Sequence, residues 1–454
     1  MKIHMALLAA GQSLRYGMED KLPEQVGGRN LLSNLLFKIR RIQQTWKGNT
    51  LIVTSEERSR WFGTSEIVII NPYPERGISY SLGLAIREMV KKPEWETGDA
   101  ICFFVCDQPF LKTRTIEDMI NGFIESEKGI GCIAYKGPKN PCVFREKYFK
   151  ELSALTGDTG GKCVLNKHLE DVFLWPAAKE EVWDMDKKKT VVIRGGGDLA
   201  SGTAYLLHKS GYRVLVLETK KPACIRRQVA FCQAVYDGEC EVEGVHAKLV
   251  QSQEEAEKIW NRGEIPVLVD EACNCLSWSM PLVVVDAILA KRNLGTKKDM
   301  APLTIGLGPG FTAGDDVDVV IETMRGDSLG QIYDIGSAIP DTGIPGMIAG
   351  YGKERVIHAP CDGQIVYSKK IGEMVKKGEV IAKIDNTDIF ASITGILRGA
   401  IHEDVPIKKG LKIMDIDPRA DDAGRCFLIS DKAKTIGESV KKAIRDWETS
   451  CCGN

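Results

Sequence analysis

The sequence has no Cys-x-x-Cys pair and only six histidines, which argues against a structural zinc site. Its fourteen cysteines are scattered through apolar stretches such as Ile101–Phe104, and the close pairs are Cys273 with Cys275 and Cys451 with Cys452. In a long chain that opens without a secretory signal pattern they are expected to be reduced and mostly buried, with no disulfide framework. No charge of one sign dominates: 61 basic residues face 62 acidic ones. A polybasic field for nucleic acid or an anionic membrane is thereby excluded as an expectation. No apolar run approaches the ~20 residues of a membrane span, so the chain is expected to be cytoplasmic. At 454 residues it is too long for one ordinary core, and two to four domains are expected.

What is there begins at the amino terminus. An apolar strand, Ile3 to Ala9, runs into a loop that carries Gly11, Ser13, Arg15, Gly17 and Lys21, with no carboxylate before Glu19. Glycines let successive backbone amides point into one hollow, and amides joined by one or two cations hold phosphate oxygens. The spacing is neither that of a Walker loop nor that of the Gly-x-Gly-x-x-Gly dinucleotide turn. The region from Asn30 to Gln44 has helical apolar spacing, and strands follow at Leu51 to Thr54 and Ile67 to Asn71. Strands alternating with helices predict a mostly parallel sheet with ligands at the carboxyl ends of its strands. Gly77, Ser79 and Ser81 precede or open a helix, where the hydroxyls either cap it or meet a ligand. The buried strand Ala100 to Cys106 ends in Asp107-Gln108-Pro109, and a carboxylate at such an exit is costly unless it is paired or bound to metal.

The loop residues Leu8, Ala9, Ala10, Gly11, Ser13, Arg15, Gly17 and Lys21, with Asp107-Gln108-Pro109, resemble the signatures of the MobA-like nucleotidyltransferases, in particular the molybdenum cofactor cytidylyltransferases. The resemblance implies a Rossmann-like nucleotidyltransferase domain over residues 1–187 that uses CTP and molybdopterin as substrates. It implies nucleotide contacts from Leu8 through Gly11, Ser13, Arg15, Lys21, Ser81 and Asp107, with Arg15, Lys21 and Asp107 catalytic. Asp107 and Asp186 would share Mg²⁺. Asn140, Pro141, Gly160, Gly161 and Lys162 match segments on the pterin side, although Lys162 stands where the family has Arg, so a bidentate fork becomes a single point charge. Lys187-Lys188-Lys189 replaces the family's tail after Asp186. Ala10 goes with CTP in that family, and glycine there with GTP.

A second glycine turn, Gly195-x-Gly197-x-x-Ala200, lies between a strand and a helix, and the next strand ends in Glu218. This is the layout of a dinucleotide fold, open to NAD(P) or to a purely structural turn. Dense glycines from Gly306 to Gly314 and again at Gly343 and Gly346 point to backbone lying close to a ligand or another segment, or to solvated loops. The runs Ile193 to Ala200, Ala290 to Thr296 and Gly306 to Gly314 resemble the YqeB-like accessory proteins of selenium-dependent molybdenum hydroxylases. That resemblance implies a second Rossmann-like α/β domain, residues 190–354, and a client molybdenum hydroxylase as partner.

Residues 355–420 read as short strands between glycine turns and predict a small β-rich barrel-sandwich domain similar to the biotinyl/lipoyl hammerheads. The tip expected for its modifiable lysine, Asp385 to Asp388, has none. The tail, residues 421–454, reads as a helix from Ser430 to Thr449 with Ile436, Val440, Ala443 and Ile444 on one face, expected to pack on the second Rossmann unit. The alternatives to a cytidylyltransferase joined to a maturation module are a MobA-like enzyme acting on GTP or a sugar phosphate, or a non-catalytic cofactor chaperone.

Overall fold

The computed structural model describes residues 1–11, 20–63, 66–185, 189–343, 346–419 and 423–452. The chain divides into two compact units, Met1–Lys188 with Arg445–Asn454, and Lys189–Ile444.

The first unit is built on Ile3–Ala9, seven residues buried from end to end. Such a strand must be covered on both faces, and its alternation shows how. Ile3, Met5, Leu7 and Ala9 join a core layer with Leu35, Ile39, Ile116 and Ile120. Ala6, Leu8 and Ala10 join the opposite layer with Leu82, Ala85, Ile86 and Met89. His4, the polar exception, is satisfied by the Asp99 carboxylate at 3.1 Å and the Asn49 amide at 3.1 Å. Across the seven-stranded sheet the order is Ile67–Ile70, Lys47–Thr54, Ile3–Ala9, Ala100–Val105, Pro138–Arg145, Ile130–Ala134 and Val172–Pro176. The first four run parallel, while Pro138–Arg145 is antiparallel to both neighbours. The first long helix is Leu31–Trp46, and Asn30 caps it by accepting from the Ser33 amide.

In the second unit a nine-stranded sheet runs Glu239–Val242, Val245–Val250, Ile265–Val269, Arg213–Glu218, Thr190–Arg194, Val283–Asp286, Leu303–Leu307, Val319–Ile321 and Ile332–Tyr333. The seven inner strands are parallel and the two edge strands antiparallel. Thr190–Arg194 sits where the strand order reverses, the place at which open α/β sheets hold ligands. The glycines expected to make close approaches divide: Gly306, Gly308, Gly310 and Gly346 do so, whereas a Cβ on Gly314 or Gly343 would meet nothing within 4 Å, as in a solvated loop. A Cβ on Gly310 would lie 2.5 Å from the Arg292 amide, and one on Gly306 2.5 Å from the Phe311 ring.

Residues 356–417 form a four-stranded and a three-stranded sheet around Ile365, Val375, Ile381, Leu397 and Ile416. One expectation is corrected here. Ile384 pairs with Thr387, so the hairpin tip is Asp385-Asn386 and not the four residues to Asp388. Asp385, whose short polar side chain tolerates the left-handed region, takes it at φ 48° and allows the tighter turn. The last helix, Asp431–Cys452, packs its first turns on Asp198–Lys209, as expected: a Cβ on Gly202 would lie 2.7 Å from that of Ala433. From Arg445 onward the residues of this helix count with the first unit, where Trp447 lies 4.7 Å from Phe110, ring to ring.

The cysteines follow expectation. Among the described residues thirteen stand outside any disulfide, and nine of those are buried. No helix among the described residues is long and apolar enough to cross a membrane.

Candidate functional site

Register sets the site in the first unit. Leu8 pairs with Val53 on one side and Val105 on the other, so Gly11 and Asp107 leave the sheet at the same edge. Pro138–Arg145 runs back along Ala100–Val105 with Phe103 opposite Cys142, which carries Asn140 and Pro141 toward that edge as well.

Asp107 is held on both sides. The Lys21 ammonium donates to Oδ2 at 3.0 Å, with both side chains less than one-fifth exposed. The other oxygen, Oδ1, is buried and has no hydrogen-bond partner among the described residues. A buried carboxylate oxygen without a donor costs about 1–3 kcal/mol or more, unless a ligand or cation completes it. Behind it, the carbonyl of Pro109 accepts from Asn34 and from the buried Lys38, each at 2.9 Å, which ties the Asp-Gln-Pro turn to the first long helix. The Met185 amide donates to the backbone carbonyl of Asp107 at 2.7 Å, which brings the chain to the covalent neighbour of Asp186. Ser13, Arg15, Gly17 and Asp186 themselves lie outside the described residues.

Three residues here escape a reading by motif. Arg58, 8% exposed, donates to the carbonyls of Ala9 at 2.8 Å and Gly11 at 2.7 Å, and its Nε meets the Asp20 carboxylate at 2.5 Å. It fixes both ends of the loop, yet in Glu-Glu-Arg-Ser-Arg it looks like one more surface charge. Asp20 and Lys38 are equally inconspicuous.

Ser81 is 4% exposed and its Oγ accepts from Asn71 at 3.0 Å. The capping alternative fails: Gly77 is the N-cap, and no side chain bonds there. Ser79 donates instead to the Gly157 carbonyl at 2.7 Å. A Cβ on Gly77 would lie 2.4 Å from that same oxygen, so only glycine fits. This contact draws the segment that ends in Gly160, Gly161 and Lys162 against the start of the helix Ile78–Met89. Lys162 opens the short helix Lys162–Lys167 and is exposed. Among the described residues no group of three or more His, Cys, Asp or Glu is placed to hold a metal.

In the second unit the turn has the expected place but not a free cradle. Gly195 has φ 96°, and a Cβ there would lie 3.0 Å from the Ala287 carbonyl oxygen. The Gly196 amide, however, donates to Glu218 Oε1 at 2.7 Å, and Thr219 donates to Oε2 at 2.8 Å. Burial raises the Glu218 carboxyl above its usual range, against the pull of these two amides. Gly197 is the N-cap of the following helix, Ala200 is buried in it, and Asp198 places a carboxylate in its first turn. The residues present therefore fit a pyrophosphate on this loop poorly.

Residues 5–172 match the family model described as the MobA-like NTP transferase domain. Over 254 residues the sequence is 52% identical to "Uncharacterized protein YqeB" of Escherichia coli (strain K12), covering 56% of this chain and 47% of that one. The chain thus spans about half the length of the curated relative it matches. Among solved structures, Rv0371c from Mycobacterium tuberculosis H37Rv is 22% identical with a TM-score of 0.33, covering 41% of this chain and 94% of that one. A 4-diphosphocytidyl-2C-methyl-D-erythritol synthase is 13% identical with a TM-score of 0.32, covering 41% and 93%. Likenesses of that size carry no argument about chemistry.

Proposed function

We propose that this chain, whose first unit carries a MobA-like NTP transferase domain, is a nucleotidyltransferase that joins the cytidylyl group of CTP to molybdopterin. The observation that carries the reading is Asp107 at the loop edge of the sheet, with Lys21 on one oxygen and the other buried with no partner among the described residues. In the reaction, an oxygen of the molybdopterin phosphate attacks the α-phosphorus of CTP. A new phosphorus–oxygen bond forms, the α–β bridge breaks, and pyrophosphate leaves with the electron pair. The nucleophile is already ionised, so no general base is needed. Positioning and charge neutralisation are the chain's whole task.

Lys21, together with Arg15, would neutralise the triphosphate, and Arg58 keeps the loop that presents them at its place by holding Ala9 and Gly11. Asp107 and Asp186 would hold Mg²⁺, and the bond from Met185 to Asp107 favours that pairing. When bound, the ion would offset charge developing on the leaving phosphates. The second unit would serve the maturation of a selenium-dependent molybdenum hydroxylase that receives the product. Tethering the two raises local concentration of product to about millimolar.

Incubating the full chain with molybdopterin, Mg²⁺ and each labelled nucleoside triphosphate in turn tests the substrate. Pyrophosphate should appear with CTP, in keeping with Ala10. Equal release with GTP, ATP or UTP would remove the base assignment, and release only when a sugar phosphate replaces molybdopterin would move the enzyme to another substrate class.

A further inference from the structure

A cavity in the second unit has a volume of about 1090 Å³, enough for a dinucleotide. Its lining joins the glycine turn, Glu218, Asp270 and Glu271 to Arg226, Arg325, Arg355, Arg398, Lys412 and Lys432, with Asp198, Glu322 and Asp415 among them. Over the whole lining eight basic residues meet seven acidic ones, so what marks the cavity is the burial of its arginines and not an excess of charge. Glu322 is moreover spent on the amides of Thr323, Met324 and Ile339, each at 2.7 Å. Asp415 is shared between Arg355 and Arg398.

Three of these arginines are more than nine-tenths buried: Arg226 at 5% exposure, Arg355 at 8% and Arg398 at 9%. Each retains buried nitrogen without a hydrogen-bond partner among the described residues, namely Nε and Nη1 of Arg226, Nε of Arg355 and Nε of Arg398. Nη1 of Arg226 lies 3.7 Å from the Asp198 carboxylate, beyond hydrogen-bond distance. A guanidinium keeps its proton in proteins, so unpaired N–H groups gathered in one lining call for an anion. Burial, followed by the charge of Arg398, lowers the Arg226 pKa, and burial lowers that of the half-buried Lys432. A second cavity of about 570 Å³ shares Arg226, Arg325 and Arg398 and adds Arg419, Arg425 and Lys434.

We propose that this cavity binds a pyrophosphate-bearing nucleotide whose phosphates sit on Arg226, Arg355 and Arg398 instead of on the glycine loop. The loop is disqualified by the Glu218 carboxylate on the Gly196 amide and by Asp198 in the first helical turn. Glu218, Asp270 and Glu271, in the same lining, suit the hydroxyls of a ribose. The inference is independent of the transferase reading of the first unit.

Calorimetric titration of the full chain with inorganic pyrophosphate, CDP and NAD⁺ tests it. Lys412→Met with Lys432→Met removes two cations from the lining without breaking a buried ion pair, and Lys21→Met serves as the control for the first unit. The double variant should lose affinity about tenfold or more, with Lys21→Met unchanged for that binding event. Pyrophosphate binding as tightly as CDP or NAD⁺ assigns the affinity to the phosphates alone; a tighter nucleotide adds the acidic residues of the lining. Both support the site. Absence of binding by all three overturns it. So does affinity unchanged in the double variant but lost in Lys21→Met, a result that leaves the transferase reading standing. Should the double variant unfold, Lys432→Met alone, in a partly exposed side chain, carries the same test with a severalfold loss.

Discussion

Lys21 and Asp107 are 86 positions apart in the chain and 3.0 Å apart in space, and what each does is set by the other. In the proposed reaction, replacing Lys21 with Met removes the cation that would meet the triphosphate, and it takes from Asp107 the ammonium on Oδ2. Turnover is expected to fall about 10²- to 10³-fold, the loss typical of one preorganised charge donor, in a steady-state assay of pyrophosphate release. Arg58 is structural support for the same loop. Arg58→Ala strands two carbonyls and Asp20, and should cost about 2–3 kcal/mol in urea unfolding, as charged hydrogen bonds do. A cost under about 0.5 kcal/mol would show that the loop holds itself. The motif residues were legible because glycine, lysine and the strand-end aspartate keep a fixed spacing. Arg58 and Lys38 were not, since they act through contacts 47 and 71 positions away and sit in stretches that read as surface.

Elements were read more completely than their junctions. The amphipathic pattern located the helix Leu31–Trp46 and the buried strands of both units, because period and burial are local properties. The antiparallel placement of Pro138–Arg145 and the two-residue hairpin at Asp385-Asn386 depend on which strand lies beside which, and no local pattern encodes that. Gly202 shows how packing overrides propensity. Alanine in mid-helix normally gains about 1 kcal/mol over glycine. Here the new methyl would lie 2.7 Å from the Ala433 Cβ and 3.1 Å from its backbone, so Gly202→Ala is expected to destabilise by about 1–2 kcal/mol. Stabilisation in a denaturant titration would show that the two helices can part. Strand Val172–Pro176 is anchored by Asp171. Burial would raise the Asp171 carboxyl, but Lys147, the Tyr148 hydroxyl and the Gly129 amide more than offset it and hold its pKa at about 2. A depressed carboxyl stabilises the fold above its ordinary pKa near 3.8 and loses that contribution as pH falls toward about 2. Urea midpoints for wild type should therefore fall between pH 5 and pH 3 more steeply than for Asp171→Asn; parallel curves would contradict this.

For the whole molecule, the final helix does more than the expected packing on the second sheet. Its residues from Arg445 belong with the first unit, where Trp447 covers the fully buried Phe110, three residues beyond Asp107. Trp447→Ala should cost roughly 3 kcal/mol, as deletion of a large aromatic does, and lower the melting of the first unit in calorimetry. An unchanged thermogram would mean that the contact is superficial. The sequence placed this helix by its apolar face, but nothing local to it says that Trp447 meets a strand-end turn more than three hundred residues earlier.

In the proposed function the first unit transfers the cytidylyl group through Asp107. The most direct measurement compares pyrophosphate release from CTP and molybdopterin in Mg²⁺ by wild type and Asp107→Ala, with molybdopterin binding followed in parallel. The account predicts a loss of at least about 100-fold in turnover with binding retained. Equal turnover in the two proteins would contradict it, and so would a wild type that binds both substrates and releases no pyrophosphate.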